Sequence, residues 1–368
     1  MSQSPEQKFT FDDKFKNDML RAKKFLEYLQ DVSERGSRAD DLQLESLNMA
    51  RTPCKTLYSE GSSRLLEYEV LGGPPRKTPI LMIYSFINRW YILDLQPGHS
   101  FIEALSKAGF KVYMLDWGIP GPESSQLGFE YYLEKLALRA VKRIRRKHSG
   151  EKINLFGYCL GGTLAAIMAA LHPEEYASQV LLTTPLAFKG AGILSLWTNK
   201  EFFDPAKLAA AFGCIPEEII HAPFPMMKPK DALAKPRILF DNILNDSYLE
   251  NFKSIDRWAT DNVPFPGKVF KEFIGSCYQD DLLAMNQLKV GEAPVDLSKI
   301  SAPTLNIFAS NDHIVPAETA RLNSIFMRGS KLTDREYPLS HLTVTVAHPM
   351  REKVWEDTVS WYEENNLV

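Results

Sequence analysis

The segment spanning residues 153–171, INLFGYCLGGTLAAIMAAL, constrains this chain more than any other. An apolar, β-rich run ends at Gly157-Tyr158-Cys159-Leu160-Gly161-Gly162, and an apolar helical run follows at once. So tight a strand–turn–helix passage needs small residues where the backbone approaches itself, and glycines flank its apex. The apex is a cysteine. A helix starting there aims its first amides and its positive dipole end at the sulfur, which favours the thiolate. A lone cysteine is usually a small buried hydrophobe. Cys54, Cys214 and Cys277 read that way, because none has such a setting.

The surroundings fit this turn. Apolar β-rich runs at 65–70, 79–86, 111–117, 153–158, 180–184 and 304–309 alternate with helical patterns, notably at 131–147 and 163–171. Such alternation predicts a mostly parallel, doubly wound sheet covered on both faces. With the G-x-nucleophile-x-G elbow, this is the α/β-hydrolase fold. The alternation stops near residue 187. Residues 188–266 are rich in Phe, Pro, Met, Trp and Lys and show no strand run, which predicts a helical cap inserted into the core. The expected division is an N-terminal helical segment over 1–55, a catalytic core over 56–187 and 267–368, and the cap over 188–266. Phe15, Met19, Leu20, Phe25, Leu26 and Leu29 recur at helical spacing and predict an amphipathic helix.

A cysteine nucleophile needs a base, and the base an orienting acid, in the chain order nucleophile, acid, histidine. Histidines follow Cys159 at 172, 221, 313, 341 and 348. Asp312 stands just past the apolar run LNIFAS, where the acid belongs. His341 follows the next strand pattern and is the expected base. His313 is read as supporting the acid loop and His348 as structural. Leu160 would give one backbone amide of an oxyanion hole, and Phe86 or Ile87, after the early strand, the other. Asn88 and Arg89 are read as loop supports, with Arg89 also a candidate for a phosphate or carboxylate.

Several classes are disfavoured. Lys plus Arg number 43 against 46 for Asp plus Glu, so a nucleic-acid-binding surface lacks its usual charge. The run Arg139, Lys142, Arg143, Arg145, Arg146, Lys147 reads as the solvated face of a helix. No C-x-x-C pair or H-E-x-x-H spacing predicts a metal site. No apolar stretch approaches the ~20 residues of a membrane span. The polar start MSQSPEQKFTFDDKF lacks a signal-peptide core, so the expected location is cytoplasmic.

Five separated segments, FINRWYILDLQPGHS, VYMLDWGIP, FGYCLGGT, FKSIDRWATDNVPFPGKVFKEF and LNIFASNDHIVP, resemble the catalytic subunit of polyhydroxyalkanoate synthases, especially the short type that works with a second subunit. The resemblance covers nearly the whole chain from about residue 55. It implies that Cys159 carries the acyl chain as a thioester, that His341 activates the thiol, and that Asp312 orients the histidine or assists the incoming hydroxyl. It implies a 3-hydroxyacyl-CoA substrate, release of CoA, a growing polyester product and no other cofactor. It also implies a second synthase subunit of the PhaE or PhaR kind, homodimers and attachment to polymer granules. One departure stands out. The histidine loop reads Leu339-Ser340-His341-Leu342-Thr343, without the glycines of the family's loop. The competing readings are a cysteine-dependent hydrolase, such as a thioesterase or a dienelactone-hydrolase-like enzyme with its G-Y-C-x-G-G box, and a non-catalytic granule scaffold.

Overall fold

The computed structural model describes residues 11–36, 40–346 and 350–367. Its centre is an eight-stranded sheet: β1 (Cys54–Glu60), β2 (Ser63–Tyr68), β3 (Ile80–Ile83), β4 (Val112–Asp116), β5 (Ile153–Tyr158), β6 (Tyr176–Leu182), β7 (Thr304–Ala309) and β8 (Leu332–Tyr337). The spatial order is β1-β2-β4-β3-β5-β6-β7-β8. β2 runs antiparallel to both its neighbours, and the pairs from β4 to β8 are parallel. The interior strands are mostly apolar and almost wholly buried because both faces are covered. Leu81, Ile83 and Leu155 face one core with the helix after Cys159, and Ile80, Met82 and Phe156 face another beneath Trp355 and Tyr362. This is the α/β-hydrolase architecture, with strands close to the expected ranges; β1 is an edge strand the apolar pattern did not show.

The basic run lies on the helix Leu138–Lys147. Arg139 pairs with Glu60, Arg145 with Glu175 and Lys147 with Glu67, and the Arg143 guanidinium sits over Tyr58. It is the ion-paired outer face of a helix whose buried side is Leu138, Ala140, Val141 and Ile144.

Between β6 and β7 the chain leaves the sheet. Helices at Gly192–Trp197, Pro205–Phe212, Glu217–His221, Pro223–Met227, Pro229–Asn242 and Asp246–Thr260 follow one another over the C-terminal edge of the strands. The expectation of no strand here needs correction. Cys214–Ile215 pairs antiparallel with Phe265–Pro266. Two residues are too few for a sequence periodicity to register.

The N-terminal helix α1 (Phe11–Glu34) also departs from its expected face. Phe25 and buried Tyr28 pack on Leu239, Ile243 and Phe252 of the inserted helices. Tyr28 donates to Asp256 at 2.9 Å, and Arg35 and Lys235 reach the same carboxylate. Phe15, Met19, Leu20, Leu26 and Leu29 stay exposed. The helix is therefore held by a narrow strip around Asp256, and most of the apolar set read from the sequence faces solvent. Ser37 and the start of the chain lie outside the described residues, as does His348.

Candidate active site

Cys159 sits where β5 meets the helix Leu160–Leu171, with φ at 57°. That backbone is costly for a non-glycine residue, of order 1–3 kcal/mol, and persists only when its surroundings over-determine it. The glycines do this. A Cβ on Gly157 would lie 2.4 Å from the Gly162 Cα, and one on Gly161 only 2.2 Å from the Ile83 carbonyl oxygen. The elbow closes because both side chains are missing.

The acid follows β7 and the histidine follows β8, and the parallel pairing of these strands brings the two loops together. Asp312 Oδ1 accepts from the Ile314 and Val315 amides, both at 2.8 Å. Its Oδ2 accepts from His341 Nδ1 at 2.7 Å. Cys159 and the same imidazole line one cavity, close enough for the sulfur to act on its charge. Burial alone would pull His341 down, but the Asp312 carboxylate and the Cys159 sulfur lift it well above its ordinary value. The Tyr158 ring stacks on His341, and its hydroxyl donates to the His341 carbonyl at 3.0 Å. The loop that lacks glycines is closed by hydroxyls instead: Thr343 Oγ1 accepts from the Ser340 amide at 2.7 Å.

Leu160 opens its helix, so its amide has no intrahelical partner. Across the cavity, Ile87 N–H donates weakly to Ser85 Oγ at 3.3 Å, and the Phe86 ring turns into the core to stack on Trp117. The residues after them form a clasp. Asn88 Nδ2 donates to Asn262 at 2.9 Å, and the Arg89 carbonyl accepts from the Trp258 indole at 2.7 Å. The Arg89 guanidinium is buried 3.8 Å from Asp261, which also accepts from Tyr91 at 2.6 Å. The carboxylate nearest Arg89 is thus internal. His313 is half-buried and does not line the cavity.

The cavity above Cys159 measures about 330 Å³. Tyr84, Leu160, Pro185, Phe273 and Tyr278 come from the core, and Leu194, Phe224, Pro225 and Trp258 from the inserted helices. His221, which the sequence reading numbered but did not choose, lines it too. Its Nε2 lies 3.2 Å from the Ile87 carbonyl, and burial pushes its imidazole below the ordinary value. No spacing marked it, because its partner lies 134 residues away. Among the described residues no cluster of three His, Cys, Asp or Glu could hold a metal ion, and no helix is long and apolar enough to cross a membrane.

Fold and site together define a member of the α/β-hydrolase class built around a cysteine, and the family model for the alpha/beta hydrolase fold matches residues 78–326. Among solved structures, the Paleococcus ferrophilus monoacylglycerol lipase aligns at a TM-score of 0.50 and 16% identity, covering 83% of this chain and all of that one. MenH from S. aureus aligns at 0.51 and 16%, covering 82% and 98%. These likenesses concern the fold alone. The sequence relatives are narrower. The poly(3-hydroxyalkanoate) polymerase subunit PhaC of Haloferax mediterranei is 31% identical over 92% of this chain and 70% of its own length. That of Allochromatium vinosum is 30% identical over 88% and 92%. The model for the poly-beta-hydroxybutyrate polymerase (PhaC) N-terminus matches residues 17–105. The chain belongs to the poly(3-hydroxyalkanoate) polymerase subunit PhaC family.

Proposed function

We propose that this chain polymerises 3-hydroxyacyl groups, taken from their CoA thioesters, into polyhydroxyalkanoate. The observation that carries the reading is the Cys159–His341–Asp312 array at the floor of an apolar cavity. A thiolate suits thioester exchange, because attacking and departing sulfurs are alike. His341 takes the Cys159 proton, and the sulfur attacks the acyl carbonyl carbon. The Leu160 amide and an amide of Phe86 or Ile87 receive the oxyanion. On collapse the carbon–sulfur bond to CoA breaks and the CoA sulfur leaves with the proton from His341. The 3-hydroxyl of another 3-hydroxyacyl-CoA then attacks the enzyme thioester and gives its proton to the imidazole; the bond from the acyl carbon to the Cys159 sulfur breaks, the sulfur takes back that proton, and the lengthened CoA thioester acylates Cys159 again. Asp312 holds that imidazole oriented and stabilises the imidazolium each time it forms.

The acyl-enzyme must outlast water between additions. The helices of residues 188–266 serve as the lid that excludes it. No cofactor beyond the CoA thioester is required by this chemistry. A second synthase subunit, a homodimer and attachment to a polymer granule belong to the same proposal. The exposed stripe Phe15, Met19, Leu26 and Leu29 on α1 is the candidate contact for subunit or granule; a truncation lacking residues 1–50 that retained both associations would refute that contact.

The test incubates the purified chain with 3-hydroxybutyryl-CoA, with and without a partner subunit, and follows CoA release and product. Insoluble polyester, abolished by Cys159→Ala, supports the reading. Free 3-hydroxybutyrate alone would make the chain a thioesterase and overturn it.

A further inference from the structure

Beside the catalytic cavity lies a second chamber of about 170 Å³. The two share Ile87, Leu194, Phe224, Phe273 and Tyr278 as walls, so they adjoin. Both are largely apolar, but their polar groups differ. The catalytic cavity carries Cys159, His341, Ser85, Asn88 and His221. The chamber is apolar apart from the Trp197 indole N–H, Thr198 and the Tyr278 hydroxyl. Thr198 Oγ1 is already spent on the Leu194 carbonyl at 2.7 Å. A ligand entering the chamber thus finds hydrocarbon contact and almost nothing to hydrogen-bond. Two of the shared walls, Phe273 and Tyr278, stand on a segment wound in wide π turns, a geometry that recurs at functional sites.

We infer that this chamber receives the alkyl substituent at C3 of the acyl group, and so admits 3-hydroxyacyl thioesters longer than butyryl. The inference rests on the reading of the catalytic site given above. In a 3-hydroxyacyl group the alkyl branch leaves two bonds from the thioester carbonyl. With the carbonyl held at Cys159 and the hydroxyl among the polar groups of the first cavity, the branch is the one part that gains from an apolar wall. A 3-hydroxybutyryl group carries only a methyl there and leaves the chamber empty. An engineered apolar cavity of about 150 Å³ holds a six-carbon ring, so a propyl or pentyl branch matches this space. The occupant is defined by that chemistry: unbranched, uncharged hydrocarbon.

The experiment measures kcat/KM for CoA release from 3-hydroxybutyryl-CoA and 3-hydroxyoctanoyl-CoA by the full chain with a partner synthase subunit present, beside Leu208→Trp and Ile220→Phe. Both residues line the chamber and not the catalytic cavity. The tryptophan fills much of the space; the phenylalanine adds less volume and guards against a misfolded variant. The expected result is turnover of both substrates by the wild type, with the octanoyl-to-butyryl ratio falling about tenfold or more in a filled variant. Butyryl turnover with a ratio that neither variant changes overturns the chamber assignment and leaves the catalytic reading standing. Release from neither substrate overturns the catalytic reading and the assignment with it.

Discussion

Asp312→Asn isolates what the acid does, because the structure dictates how the new amide must sit. Oδ1 of Asp312 accepts from two backbone amides at 2.8 Å. An asparagine can satisfy both only with its carbonyl oxygen in that place. Its NH₂ then faces His341 Nδ1, where a carboxylate oxygen now accepts at 2.7 Å. Two donors meet, unless the imidazole changes tautomer and turns its hydrogen toward Cys159. A histidine in that tautomer cannot take the thiol proton. The variant also leaves the buried imidazolium unpaired, a loss of about 3–5 kcal/mol. That corresponds to roughly a 150- to 5,000-fold fall in acylation rate. The assays are single-turnover CoA release and the pH dependence of Cys159 alkylation by iodoacetamide. In the wild type the lifted imidazolium persists above its ordinary value. In the variant the burial that pulls it down acts with less opposition, so alkylation at about pH 6.5, the ordinary histidine value, falls sharply. CoA release within about threefold of wild type, with an unchanged alkylation profile, would refute the reasoning, since that is far less than loss of a buried charged partner costs.

Gly161→Ala drives a methyl to 2.2 Å from the Ile83 carbonyl oxygen, which is backbone and cannot swing aside; a loss of about 1–3 kcal/mol is expected, read as a lower urea midpoint at constant m. His221→Ala removes a buried hydrogen bond to the Ile87 carbonyl, worth about 1 kcal/mol; kcat should fall about fivefold with little change in KM, and His221→Gln, which keeps a donor, should restore most of it. At Asp256, burial would raise the carboxyl, but Lys235, Tyr28 and Arg35 prevail and hold it below its ordinary value. Its contribution is therefore present above the unfolded value of about 4 and lost as pH falls through the depressed one. Asp256→Asn should flatten the decline of unfolding free energy over that acid range in pH-dependent urea titrations.

The parts of this molecule that were legible in its sequence are those whose cause is local. The elbow is a contiguous run of glycines around one nucleophile. The buried strands announce themselves by unbroken apolar residues. Asp312 and His341 could be selected because chain order and the ends of two strands are one-dimensional properties. What stayed hidden depends on residues far apart. The Arg89–Asp261 clasp spans 172 positions, and nothing near Arg89 distinguishes an internal partner from a phosphate. His221 gains its place only when the insertion folds back over Ile87. Helical spacing on α1 marked apolar residues but not which of them docks, since Asp256 decides that from another helix.

The clasp between the Asn88–Tyr91 segment and residues 258–262 divides the roof of the cavity into unequal halves. Its C-terminal limb, Asp246–Thr260, buries Ser254, Asp256, Arg257 and Trp258 and is pinned, with Asn262 just beyond it, to the loop of Asn88 and Arg89. The preceding limb is loosely seated: the helices Gly192–Trp197, Glu217–His221 and Pro223–Met227 bury no residue fully, and Pro229–Asn242 buries only Leu239. Local opening free energies follow such buried contacts. Amide hydrogens of the first limb should therefore exchange with solvent well before those of the second. The access route to Cys159 then behaves like a door with a fixed jamb, and the jamb is the pair of hydrogen bonds that Asn262 and Trp258 make with Asn88 and Arg89. The roof over Cys159 can open on one side while the loop of Asn88 and Arg89 on the other stays in place.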